Sequence, residues 1–286
     1  MIFLLLAIIT SSSIFILFKF FEQYKINIIQ ALTFNYLVAT LLGAVSAPNT
    51  IHPMQVFHQQ WIWLALISGV LLIATFFVYA VSTQKVGIAI TSVSGKMSVI
   101  IPVLFGFLLF NEVATWLRII GIVLALVAFY LTLMRTLEQK AKNRYLILPV
   151  LLFFGNGFND SIFKVMQQWY VGNNVTEFLT TAFCISLMIG LVLMLIQGLV
   201  KKQSLLLRNL IAGTILGVLN WYSTYFFLIG LNRFDVSVFV PVFNVSIVTI
   251  GALVGYLFYK EKLSKVNIIG IAIAMISIVL ISGIWF

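Results

Sequence analysis

Long apolar stretches, each broken off by a short cluster of polar or charged residues, set the rhythm of this chain. The runs fall near residues 1–18, 28–47, 61–82, 87–109 and 114–134, and then near 145–165, 178–199, 209–231, 236–258 and 264–285. Each approaches the roughly 20 residues that an α-helix needs to cross about 30 Å of hydrocarbon. The pattern predicts an all-α polytopic membrane protein of ten transmembrane helices: residues 1–137 as a first five-helix repeat, 138–144 as a basic connector, and 145–286 as a second repeat.

Composition agrees with that prediction. Hydrophobic residues make up 62% of the chain, charged residues 8%, and mean hydropathy is +1.15, values far from those of soluble proteins. The first run has no positive charge ahead of it, and Lys19 and Lys25 follow it, so it reads as a retained span and not as a cleaved signal. Cys184 is the single cysteine, which excludes an intramolecular disulfide or a multi-cysteine zinc site. His52 and His58 share one connector without acidic neighbours, so no metal is expected there. No glycine-rich phosphate loop opens a soluble domain, and no cofactor is expected. A membrane enzyme would need His, Asp or Glu groups converging at one depth, and the chain offers no such set.

The net charge of +10 is distributed by topology. Lys19, Lys25, Lys85, Arg135, Lys140, Lys142, Arg144, Lys201, Lys202, Arg208, Lys260, Lys262 and Lys265 all follow odd-numbered spans, whereas Arg118, Lys164 and Arg233 lie near the even connectors. By the positive-inside bias, odd connectors face the cytoplasm and both termini lie outside, in the cytoplasmic membrane. Short loops give no clustered soluble patch for nucleic acid, so the expected partners of the basic residues are anionic lipid headgroups.

Five spans per half is an odd number, so the second half enters the bilayer from the opposite side. The halves also repeat one another in sequence. Ile119-Ile120-Gly121-Ile122 follows Glu112 at the spacing at which Ile268-Ile269-Gly270-Ile271 follows Glu261; Phe18-Lys19 matches Phe163-Lys164, Gly43 matches Gly190, and Gly69-Val70-Leu71 resembles Gly217-Val218-Leu219. With each half ending in an apolar stretch, a glutamate, a short polar loop and a glycine-containing span, the chain resembles the EamA-like branch of the drug/metabolite transporter superfamily. Pro102 fits the first-half pattern of that family; the corresponding second-half position is Gly251, and the second half has Pro241 instead. The resemblance implies alternating access, with spans one to four and six to nine around a central cavity and spans five and ten at the periphery. Gly121, Ala125 and Ala128 in span five, and Gly270, Ala274 and Ser277 in span ten, suit close packing within one chain or a homodimer contact.

Ionisable groups inside hydrocarbon are the clearest candidates for a transport path. Lys96 sits ~13 Å into span four, with Ser92 one turn earlier on the same face. It needs a cavity or a partner. Span six carries Asn156, Asp160 and Lys164 at four-residue spacing. Asp160 then either pairs with Lys164 along the helix or faces a cavity shared with Lys96, at a depth ~9 Å different. In the second arrangement a zwitterion would place its carboxylate on Lys96 and its ammonium on Asp160. Span eight adds Asn220 and Thr224 on one face and Tyr222 and Tyr225 as aromatic wall residues, with Asn244, Ser246 and Asn35 as further polar candidates. Trp61 and Trp63 are expected as interfacial anchors, and Glu112 and Glu261 as solvated residues or caps of the helix that follows each. The expected function is secondary transport of a small-molecule substrate, an amino acid or other zwitterion; the alternatives are a lipid-linked-sugar flippase of the same fold, or a non-transport membrane enzyme or interaction subunit.

Overall fold

The computed structural model describes residues 2–46, 56, 58–109, 115–134, 145–170, 175–233 and 236–282. His52, Glu112 and the connector 138–144 lie outside the described residues. The helices are α1 (Ile2–Gln23), α2 (Ile28–Ser46), α3 (Ile62–Lys85), α4 in two segments (Ile88–Met97 and Ile100–Leu109), α5 (Trp116–Met134), α6 (Ile147–Trp169), α7 (Val175–Lys201), α8 (Leu207–Arg233), α9 (Val236–Leu257) and α10 (Lys265–Ser282). No strand occurs among the described residues. Seven of the helices, α1 to α5, α7 and α8, are long and apolar enough to cross a membrane. α6 is long enough, but its polar residues set it apart, and α9 and α10 contribute shorter apolar runs, Val242–Leu257 and Lys265–Ile281. α1 continues past residue 18 to Gln23, which brings Lys19 and Glu22 into the helix.

In lipid there is little hydrophobic drive between helices, so small residues decide where backbones meet. α5 and α10 form the most extensive pair. Ala125, Ala128, Ala274 and Ser277 are fully buried there, and a side chain on Gly121 would strike Leu280 and Ile281. The small residues expected in spans five and ten are thus used within the chain. α2 lies against α7 and α8, α3 against α6 and α7, α1 against α8 and α9, and α4 against α6 and α9.

One end of the bundle is laced by polar contacts between connectors. The Lys19 ammonium donates to the carbonyls of Thr83 (3.5 Å) and Gln84 (3.3 Å), and Glu22 takes ion pairs from Lys19 (3.3 Å) and Lys85 (3.2 Å). Asn27 donates to Gln203 (2.6 Å), and Asn267 to the carbonyl of Thr132 (2.8 Å). Residues flanking the connectors after α1, α3, α5, α7 and α9 therefore gather at the same end, the basic one.

Glu261 departs from expectation. It caps the start of α4, with its carboxylate oxygens accepting the amides of Ile88 (2.7 Å) and Ala89 (3.3 Å). α4 begins after Gly87, whose φ of 117° only glycine adopts readily and which has no side chain to serve as a cap. The helix that follows Glu261, α10, has its own reciprocal cap: Asn267 N–H donates to Ser264 Oγ (3.1 Å), and Ser264 N–H to Asn267 Oδ1 (3.0 Å).

At the opposite end Trp61 is 2% exposed and packs edge-on against Phe178 (5.7 Å between centroids). It is a core residue, not the interfacial anchor expected. Trp63, two positions on and turned to the other side of α3, is 72% exposed and suits that role.

Candidate functional site

The break in α4 follows from Pro102. Proline has no N–H to give the carbonyl of residue 98, and its ring crowds that carbonyl, so the regular ladder stops. Ser98 instead receives Ile101 N–H (3.0 Å), and the carbonyl of Lys96 receives Val99 N–H (3.4 Å). The interruption lies directly after Lys96, in the most deeply buried of the seven spans. Broken helices of this kind are tolerated in membranes where the backbone lies in protein or lines a cavity.

Five helices contribute side chains around this break. From α4, the Lys96 ammonium stands 4.8 Å over the ring of Phe243 on α9, a cation–π contact. From α3, the Tyr79 hydroxyl lies over Gly95, where any side chain would collide with it. From α6, Asn156 donates to the Tyr79 hydroxyl (2.5 Å). One turn on, Asp160 acts electrostatically on both Lys96 and Tyr79, yet no ion pair within 4.0 Å joins Lys96 to Asp160. Phe15 of α1 closes the other side of Tyr79, edge-on at 5.5 Å.

The rest of α6 gives the face of the helix on which Asp160 lies. Ile147, Leu151, Phe154 and Phe158 form one exposed apolar stripe, the lipid-facing side. At 3.6 residues per turn Asp160 lies about 150° from that stripe, and Asn156 about 170°. Asp160 is itself exposed in the bundle, on this side of α6 opposite the apolar stripe. Lys164, on the same helix, reaches across to the carbonyl of Pro102 at 3.4 Å, in the second segment of α4.

The other expected site residues divide. Ser92 is fully buried, donates to the carbonyl of Ala89 (2.9 Å) and packs where Gly251 lets α9 approach α4. Asn220 donates to Asn35 (3.2 Å), so these two candidates form a buried tie between α8 and α2. Asn244 is buried beside Phe243, and Ser246 is half-buried on the same helix. Tyr222 and Tyr225 continue the exposed stripe of Ile211, Ile215 and Val218, on the side of α8 away from Asn220, and their rings pack on each other and on Phe226. The structure does not bring them to the Lys96–Asp160 cluster.

Two members of the cluster, Tyr79 and Phe243, were not singled out by sequence. Tyr79 stands in an aromatic run beside Phe76 and Phe77, where a ring reads as ordinary packing, and Phe243 is one of 26 phenylalanines. The available hint was Gly95, a space beside Lys96 that some neighbouring side chain had to fill.

With the fold and cluster in view, comparison with known proteins is decisive at the level of family. Residues 1–134 and 147–283 each match the EamA-like transporter family. The chain belongs to this family. Its members are membrane transporters of the drug/metabolite type, and the protein is accordingly an integral membrane protein. It is similar to an uncharacterized protein of Haemophilus influenzae, 28% identical over 285 residues, which cover 96% of this chain and 95% of the relative. A solved crystal structure shares the fold, with a TM-score of 0.60 at 16% identity, covering 99% of this chain and 94% of that one.

Proposed function

We propose that the chain is a ten-span alternating-access transporter for a small zwitterionic metabolite, such as an amino acid, with Lys96 taking the carboxylate and Asp160 the ammonium. The observation that carries this proposal is the separation of the two charges. Opposite charges on facing helices, too far apart for an ion pair yet electrostatically coupled beside a broken helix, leave room for a molecule carrying both complements. Tyr79 and Asn156 hold the wall between them, and Phe243 supports the ammonium of Lys96.

The inverted-repeat part of the proposal has its own support. The family matches each half separately. Exchanging first-half helices for their second-half counterparts turns the α2–α8 contact into α7–α3, α1–α8 into α6–α3, and α1–α9 into α6–α4, all of which occur. The basic end faces the cytoplasm on the positive-inside bias, with both termini on the far side of the cytoplasmic membrane. In this arrangement the contacts of Lys19, Glu22, Lys85 and Glu261 close the cytoplasmic side.

The test is uptake by proteoliposomes of labelled neutral amino acids and other small zwitterions, comparing the parent with Lys96→Gln and Asp160→Asn. Each variant is expected to reduce saturable transport at least tenfold, since a desolvated charge-assisted contact is worth about 1.5–3 kcal/mol. Saturable zwitterion transport undiminished in both variants refutes the site.

A further inference from the structure

A polar recess lies at the basic end, away from the mid-span cluster. It is a cleft of ≈ 430 Å³ between the connectors that follow α1 and α7. Lys25, Lys202 and Arg208 are exposed around it, and no carboxylate is among its lining residues. Lys25 and Lys202 adopt left-handed backbone conformations, with φ of 50° and 49°. They turn the chain as α1 and α7 end, so that α2 and α8 both start at the cleft. Two long helices thus present their positive ends to the same space.

The floor is a buried lattice of amides. Asn209 donates to Gln30 (2.6 Å) and accepts from the Asn27 backbone (3.1 Å), while Gln30 N–H donates to the Asn27 side chain (3.1 Å), capping α2. Gln30 and Asn209 are 3% and 1% exposed. A neutral, hydrogen-bonded floor beneath an exposed rim of two lysines and an arginine matches a phosphate group, which the cations can take from above.

The surroundings select the source of that phosphate. Leu206 lines the cleft and is exposed, as are its chain neighbours Leu205 and Leu207, the latter at 71%. A free phosphate has no use for this aliphatic border, whereas a phospholipid places its headgroup among the cations and its acyl chains along the leucines. We infer that this cleft binds the phosphate headgroup of an anionic phospholipid.

The experiment is lipid titration of the purified protein in detergent followed by native mass spectrometry, with phosphatidylglycerol, phosphatidylcholine and inorganic phosphate as separate arms. Phosphatidylglycerol should bind saturably and at least tenfold more tightly than phosphatidylcholine. Each single change, Lys25→Gln, Lys202→Gln or Arg208→Gln, should weaken it about fivefold, and the triple change ~100-fold, on the usual worth of a cation at a membrane surface. Lys25→Arg with Lys202→Arg should retain parental affinity, and Lys262→Gln, at the same end but outside the cleft, should leave it unchanged. Equal affinity for the two lipids, or parental affinity in the folded glutamine variants, overturns the proposal. Inorganic phosphate binding as tightly as phosphatidylglycerol, and competing with it, overturns the lipid assignment.

Discussion

Replacing Glu261 by alanine tests whether a residue of the second half holds the start of a helix in the first. The change removes both acceptors from Ile88 and Ala89, two residues with no exposed surface. A buried amide left without a partner costs about 1–3 kcal/mol, so the pair sets a gross loss of about 2–6 kcal/mol. Two effects reduce it. Water enters the space vacated beside Gly87 and Gly255, and the burden of burying a carboxylate disappears. Burial is the largest influence on Glu261 and holds its carboxyl above the ordinary range, with the two amides and the charge of Lys19 offsetting this only in part. A net loss of about 2–3 kcal/mol follows, or roughly 4–6 °C in melting temperature for a chain of this size. Glu261→Gln keeps one oxygen acceptor and should lose about half as much. The assay is thermal unfolding in detergent, followed by circular dichroism. An alanine variant that melts within about 1 °C of the parent refutes the cap.

Other consequences are open to measurement. Because folding raises the pKa of Glu261, the folded state binds that proton more tightly than the unfolded chain does; the parent should therefore gain stability relative to Glu261→Gln as pH falls from the raised value to the ordinary carboxylate one, and a melting difference that stays flat from about pH 8 to 4 contradicts this. Gly251→Ala puts a methyl 2.5 Å from the Ser92 hydroxyl and should cost about 1–3 kcal/mol, recovered when Ser92→Gly is added; failure of the second change to rescue melting temperature argues against the α4–α9 contact. Trp61→Ala should cost about 3–5 kcal/mol and Trp63→Ala no more than about 0.5, so equal losses in a denaturant series contradict their burial.

What the sequence made legible was whatever depends on runs and periods. Helix positions followed from apolar length, the shared face of Asn156 and Asp160 on α6 from their four-residue spacing, and the common end of the odd connectors from the placement of lysine and arginine. What escaped depends on which helices meet. Tyr222 and Tyr225 look equally suited to a pocket wall, because eight consecutive polar and aromatic residues, 220–227, encircle α8 and their order does not say which side the neighbours occupy. Tyr79 joins Asn156 across 77 residues, and Glu261 reaches Ile88 across 173. Such pairings become visible only once the helices are assembled.

The cap on α4 also bears on how the protein is made. Ile88 and Ala89 leave the ribosome long before Glu261, with 173 residues separating the first amide from its acceptor. At roughly 5–20 residues per second, the opening turn of the fourth helix waits on the order of 9–35 s before the group that completes it has been synthesised. During that interval the first half sits in the membrane with the start of its fourth helix uncapped. Final closure of the basic end is thus a late event of biogenesis, triggered by arrival of the connector before α10.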